Sequence, residues 1–157
     1  DYGGFNLLIY DGKELLYLNN FNQDEPQTLP PGVYALSNNL LDSPWPKVEY
    51  ARQRLQHKID NTGQMGPGHI PRLLDDLSLQ KTWARHLLPE TGVSPEWEEI
   101  LSSPFIVAEG YGTRASTVVM VSAGGEVDVV ERSFEAGRIT AENKFTFKIT
   151  ANERQSE

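Results

Sequence analysis

Apolar residues open the chain in two short runs, at positions 5–10 and 15–18, separated by Asp11-Gly12. Asp-Gly between apolar runs predicts a β-hairpin with a type I′ turn, because that turn needs positive φ at both central residues. The runs are nearly continuous rather than alternating, which predicts strands covered on both faces. Positions 19–31 are polar and rich in turn residues, a loop. A third strand is expected at 32–37, ending at Asn38-Asn39. Pro46 then suits a first helical position, where its missing N–H costs nothing. Val48, Ala51, Leu55 and Ile59 recur at helical spacing among arginines, lysine and glutamines, so an amphipathic helix should run from Pro46 to just before Gly63.

The stretch near 62–69 holds three glycines and a proline and reads as a flexible loop. A second helix is expected at 70–79, with Ile70, Leu73, Leu74 and Leu77 on one face. Residues 80–93 show no clear period. Ser94-Pro95-Glu96 is a helix start: a capping hydroxyl, a proline in the first turn and acids against the helix dipole. Ser102-Ser103-Pro104 stops that helix. A strand at 105–108, a tight turn at 110–114 and a hairpin of 116–122 with 126–134 around Gly124-Gly125 follow. A last strand from Lys144 should point Phe145, Phe147 and Ile149 inward, and residues 151–157 read as a disordered tail. About seven strands and three helices, the helices grouped in the middle, predict an α+β fold rather than strict βαβ alternation.

Length and charge narrow the possibilities. The 157 residues fit a single domain or part of one. Apolar residues make up 38% and aromatic ones 10%, enough for a packed core. No apolar run approaches the about 18 residues of a membrane span. With no cysteine, the chain holds no disulfide, no thiolate metal site and no cysteine nucleophile, and it fits a cytoplasmic, reducing location. Fourteen basic against 22 acidic residues give a net charge of −8, which disfavours general nucleic-acid binding. The basic residues concentrate at 46–89, seven against four acids, either a solvated helical face or an anion-facing surface.

Few residues suggest chemistry. His57, His69 and His86 lie in different elements without metal-ligand spacing, so no metal is expected. Gly110-Tyr111-Gly112-Thr113-Arg114 is glycine-rich but lacks the remainder of a phosphate loop. Arg114, where a tight turn enters an apolar strand, suits either a structural ion pair or a fork onto a carboxylate or oxyanion. Asn38 after a strand suits either an Asx turn or an amide donor aimed into a cleft. Asp75-Asp76 and Glu98-Glu99 are adjacent on helices, and adjacent residues do not share a face. Tyr34, Trp45 and Tyr111 are aromatic candidates for the wall of a ligand cleft, with the basic span 46–89 at its edge.

Five segments resemble one family. They are Gly4-Phe5-Asn6-Leu7-Leu8, Leu29-Pro30-Pro31-Gly32-Val33-Tyr34-Ala35-Leu36-Ser37-Asn38, Leu41-Asp42-Ser43-Pro44-Trp45-Pro46-Lys47, Gly110-Tyr111-Gly112-Thr113-Arg114 and Glu131-Arg132-Ser133-Phe134. In this order they are similar to the C-terminal part of the transport and Golgi organisation protein 2 family, also called the NRDE family. The Asn-Arg-Asp-Glu motif of that family is missing here, as is its N-terminal cysteine, so the chain is expected to be part of a larger domain. The resemblance implies a partial αββα sandwich of the N-terminal nucleophile hydrolase kind. It places Asn38 and Arg114 as oxyanion and electrostatic support; together with Trp45 and Tyr111 they are the candidate ligand-lining residues. It also implies a role in trafficking. The first expectation is a non-enzymatic carrier of a small amphipathic ligand, haem above all, with no cofactor required. The rivals are an amidohydrolase whose nucleophilic cysteine lies outside this chain, and a structural half completed by a missing N-terminal portion or by a homo-oligomer.

Overall fold

The computed structural model describes residues 3–21 and 25–149. Its elements run β1 (Asn6–Tyr10), β2 (Leu15–Asn19), β3 (Gln27–Leu29), α1 (Pro46–Thr62), α2 (Ile70–Leu77), α3 (Pro95–Leu101), β4 (Val107–Ala108), β5 (Tyr111–Gly112), β6 (Ala115–Val121), β7 (Glu126–Glu135) and β8 (Arg138–Lys148). Short 3-10 turns lie at Pro67–His69 and Arg85–Leu87. The eight strands among the described residues form three small antiparallel sheets, an α+β fold. The chain divides into two compact units, Asp1–Asp60 and Asn61–Glu157. The tail expected at 151–157 lies outside the described residues.

In the first unit β1, β2 and β3 pair in that order. The β1–β2 connection is wider than the expected two-residue turn. Gly12 has φ +95°, but Asp11 is not left-handed. Instead the Asp11 carboxylate accepts from the Lys13 and Glu14 amides at 2.8 and 2.9 Å and closes a four-residue loop. Those two bonds hold the Asp11 carboxyl below its usual range. The third strand is also displaced. Gln27–Leu29 pairs with β2, whereas 32–37 joins no ladder. Pro30 and Pro31 have no N–H to donate, which stops the ladder before that segment. The Ala35 amide turns instead to the Asp42 carboxylate (2.8 Å), and the Asp42 amide to the Ala35 carbonyl (2.8 Å). β1 carries Leu7, Leu8 and Ile9 exposed rather than covered on both faces. α1 begins at Pro46 and ends before Gly63, as its periodicity predicts.

The second unit is built on the sheet β6–β7–β8. Its core is Ile70 and Leu74 of α2 against Val118 of β6 and Val130 of β7, with Leu73 and Met120 packed at the margin. Leu74 is 1% exposed. α2 covers only one face of the sheet. The register sets Val118 opposite Val130 on that face, so the neighbouring row of Val119, Val129 and Phe145 lies on the other. Phe145 and Phe147 are therefore 60% and 53% exposed, not inward. The final strand is also longer than expected, beginning at Arg138. It follows a two-residue turn in which Ala136 (φ +47°) and Gly137 (φ +77°) are both left-handed, the type I′ pattern that Asp11-Gly12 does not adopt. Gly125 (φ +78°) closes the β6–β7 hairpin after Ser122.

Two polar devices hold the helices of this unit. Arg132 of β7 donates to Glu142 of β8 at 2.7 Å and to Asp75 of α2 at 3.1 Å. The bonds from Arg132 and Lys144 hold the Glu142 carboxyl below its ordinary range, and the Glu142 bond foremost raises the Arg132 guanidinium. In α3 the Ser94 hydroxyl accepts from the Trp97 amide, as the cap signal predicts. Arg85 of the second 3-10 turn reaches Glu96 at 3.1 Å. The stretch near 62–69 is partly organised, since Pro67–His69 forms a turn and the Gly66 amide donates to His69 Nδ1 at 3.1 Å.

Candidate functional site

The glycine-rich segment at 110–114 lines a depression of the second unit. Gly110 takes φ +71° in the turn between β4 and β5, where Ala108 faces Tyr111 and Val107 faces Gly112. A Cβ at Gly112 would stand 2.8 Å from the Ile106 carbonyl oxygen, so the backbone approach there admits only glycine. Thr113 then fixes the exit from the turn: its amide donates to the Ile106 carbonyl and its hydroxyl accepts from the Ile106 amide, both at 2.9 Å. The Arg114 carbonyl accepts from the Phe134 amide at 2.8 Å and ties the segment to β7. Backbone bonds thus fix residues 112–114 on both sides and leave the Arg114 side chain displayed.

Arg114 is exposed, and its guanidinium has no hydrogen bond or ion pair among the described residues. The structural ion pair that the sequence allowed is therefore not formed there. Around it opens a depression of about 830 Å³, walled by Val107, Tyr111 and Thr113 on one side and by Phe134, Ala136 and Thr140 on the other. Tyr111 is 52% exposed and meets Trp97 edge to face, with ring centroids 5.6 Å apart. The second wall exists because the β7–β8 turn closes onto β4: a Cβ at Gly137 would lie 2.9 Å from Val107 Cγ2. The chemistry offered is a forked cation beside apolar and aromatic surface, with threonine hydroxyls near it. Such a set suits an anionic group on an apolar body.

The other sequence-selected residues belong to the first unit. Asn38 lies in a bend of the loop, not at a strand end, and is exposed with no side-chain hydrogen bond among the described residues. Beside it the Asn39 side-chain oxygen accepts from the Leu40 amide at 2.8 Å. The loop is anchored below by Tyr17, 3% exposed. Its hydroxyl donates to Asn6 at 2.7 Å and accepts from the Leu41 amide at 3.2 Å, while Asn6 donates to the Asn39 carbonyl at 3.0 Å. Trp45 precedes α1 and receives the Lys47 ammonium 5.8 Å from its ring centre. Tyr34 donates its hydroxyl to the Pro30 carbonyl at 2.8 Å. The structure thus brings Tyr111 and Arg114 to one depression and sets Asn38 and Trp45 in the other unit.

His57 and His86 are exposed on α1 and on the second 3-10 turn, and none of the three histidines lines the Arg114 depression. Among the described residues no group of three or more acids or histidines is arranged to hold a metal ion. No helix among them is long and apolar enough to cross a membrane. Sequence reasoning missed Phe134, Ala136 and Thr140 as the second wall. The signal was present as Ala136-Gly137 following a ten-residue strand, the mark of a hairpin that folds back beside the glycine segment.

Comparison with known proteins agrees with the motifs. The family model described as Transport and Golgi organisation 2 matches residues 1–136. Curated relatives include the Transport and Golgi organization protein 2 homologs of Bos taurus and Homo sapiens, 34% and 30% identical over 145 residues. The Transport and Golgi organization 2 homolog of Mus musculus is 29% identical over the same length. Each alignment covers 84% of this chain and 51% of the relative, so the chain spans about half the length of the curated relatives it matches.

Proposed function

The chain belongs to the Transport and Golgi organisation 2 family, and on that premise we propose that it is a non-enzymatic carrier of a small amphipathic anion, haem being the first ligand to test. The observation that carries this reading is Arg114: an exposed guanidinium without an ion-pair partner among the described residues, at the rim of a depression that Tyr111 and Phe134 line. An unpaired arginine beside apolar surface gains from a carboxylate that brings its own apolar body, since the ligand loses water on one side and finds a fork on the other. A volume of about 830 Å³ falls in the range of small-molecule sites. For haem as cargo, Arg114 would take a propionate, Thr113 or Thr140 a second polar contact, and Tyr111 the face of the macrocycle. The depression offers no histidine to the iron, so binding would rest on the carboxylates and the ring.

This reading asks nothing of a nucleophile. Cysteine-dependent hydrolysis by the present residues alone has no thiol to run on, since the chain contains none. The test is an absorption titration of the full chain with haem. A saturable shift of the main haem band supports the carrier reading. A change no larger than that produced by an unrelated acidic protein defeats it.

A further inference from the structure

β8 is the edge strand of its sheet, eleven residues long and exposed throughout. A long, flat edge with apolar side chains is a pairing surface unless something blunts it. Its sequence, Arg-Ile-Thr-Ala-Glu-Asn-Lys-Phe-Thr-Phe-Lys, contains no proline; its one bulge is at Thr140, the extra residue where Ser133 and Phe134 of β7 face Ala141 and Ile139, and 141–148 is regular. What matters is its order. Laid antiparallel against a second copy of itself about a two-fold axis at Asn143, the regular part of the strand opposes Glu142 to Lys144 and Ala141 to Phe145. The first pair is complementary in charge and the second in volume. Moving the axis one residue either way sets Glu142 against Glu142 or Lys144 against Lys144.

The backbone supports the same register. The Ile149 amide donates to the Gly125 carbonyl at 2.8 Å, at the foot of the β7–β8 ladder. Antiparallel ladders alternate, so the odd positions from 149 down to 143 bond toward β7, and 142, 144 and 146 turn their N–H and C=O groups to the free edge. These are the positions that meet each other across the Asn143 axis. On the face that α2 shares, Arg132 already grips Glu142, and Lys144 lies 3.0 Å from that same carboxylate. A second copy would extend this into an alternating row: Arg132, Glu142 and the neighbouring Lys144. On the opposite face Phe145 and Phe147, 60% and 53% exposed, would meet Ala141 of the second copy in an apolar band across the seam.

We propose that the chain forms a two-fold homodimer by antiparallel pairing of β8 with β8 about Asn143, giving a continuous six-stranded sheet. The arrangement is isologous, so it closes at two copies instead of growing into a fibre.

The absence of native cysteine makes the test specific. Asn143→Cys puts two equivalent thiols on the axis, at a non-hydrogen-bonded pair whose Cα atoms stand about 4.5 Å apart, within disulfide reach. Arg138→Cys on the same strand puts them about 33 Å apart. Sedimentation of the full chain should show a dimer. Mild oxidation should cross-link Asn143→Cys and not Arg138→Cys. Lys144→Glu, on an exposed side chain, should weaken the dimer about tenfold or more by opposing two acids, with an unchanged circular dichroism spectrum. A monomer at about 100 µM would overturn the proposal, as would a dimer indifferent to Lys144→Glu or one that cross-links equally at positions 138 and 143.

Discussion

Arg132 on β7 reaches Asp75 on α2 at 3.1 Å while holding Glu142 on β8 at 2.7 Å. One guanidinium thus joins the helix that forms the core to the neighbouring strands β7 and β8. The packing beneath is apolar, Leu74 against Val118 and Val130, and non-directional. The arginine supplies direction, because its planar fork fixes where along the sheet α2 sits. Arg132→Gln should lower the melting temperature by a few degrees and speed hydrogen exchange in α2 more than in β6. Equal loss of protection across the unit would contradict the role given to this residue.

The same bonds predict a pH dependence. Glu142 has a depressed carboxyl in the folded protein. A depressed acid contributes stability that is fully present above its unfolded titration range and is lost as pH falls through the folded value. Denaturation midpoints should therefore decline as pH drops below the ordinary glutamate range, and the decline should be shallower in Arg132→Gln. Midpoints of the two proteins that fall in parallel would count against it.

Core packing gives a larger effect. Leu74 is 1% exposed at the centre of its cluster, and Leu74→Ala should cost about 2–5 kcal/mol from lost burial and the cavity left behind. Urea unfolding followed by far-ultraviolet circular dichroism checks this. A loss under about 1 kcal/mol would mean the cluster collapses freely around the gap.

The Ala136-Gly137 turn offers a change in the other direction. Ala136 holds φ +47°, a region that costs a residue with a Cβ about 1–2 kcal/mol and that asparagine tolerates better. Ala136→Asn should stabilise the protein by about 0.5–1 kcal/mol. Gly137→Ala should destabilise it, since an added Cβ meets both the left-handed φ and Val107. Thermal melts of the two variants should move in opposite senses.

Which parts of this were legible in the sequence follows from how local each signal is. Ser94 and Pro46 announced α3 and α1 because caps act on the residues beside them. The apolar positions of α2 announced its buried face. Asp11-Gly12 misled because a carboxylate two residues upstream of an amide competes with the turn that the dipeptide favours elsewhere. The segment 32–37 reads as a strand by composition, but two prolines ahead of it remove the donors a ladder needs. Phe145 and Phe147 alternate as a half-buried strand should, yet alternation cannot say which face α2 covers. At the site, Gly110, Gly112 and Arg114 were visible as a motif, and their backbone reasons are the turn and the close approach to Ile106. The second wall, set by Val107 against Gly137, depends on two segments thirty residues apart and left only the hairpin signal.

The central claim is that Arg114 receives a carboxylate of an amphipathic ligand, and the most direct measurement compares haem with its dimethyl ester in absorption titrations of the native chain and of Arg114→Gln. The account predicts that haem binds the native chain about tenfold more tightly than the ester does, that Arg114→Gln removes this difference, and that the variant melts at the native temperature because Arg114 makes no ion pair among the described residues. Equal binding of haem and ester to the native chain, or no saturable binding of either, would contradict it.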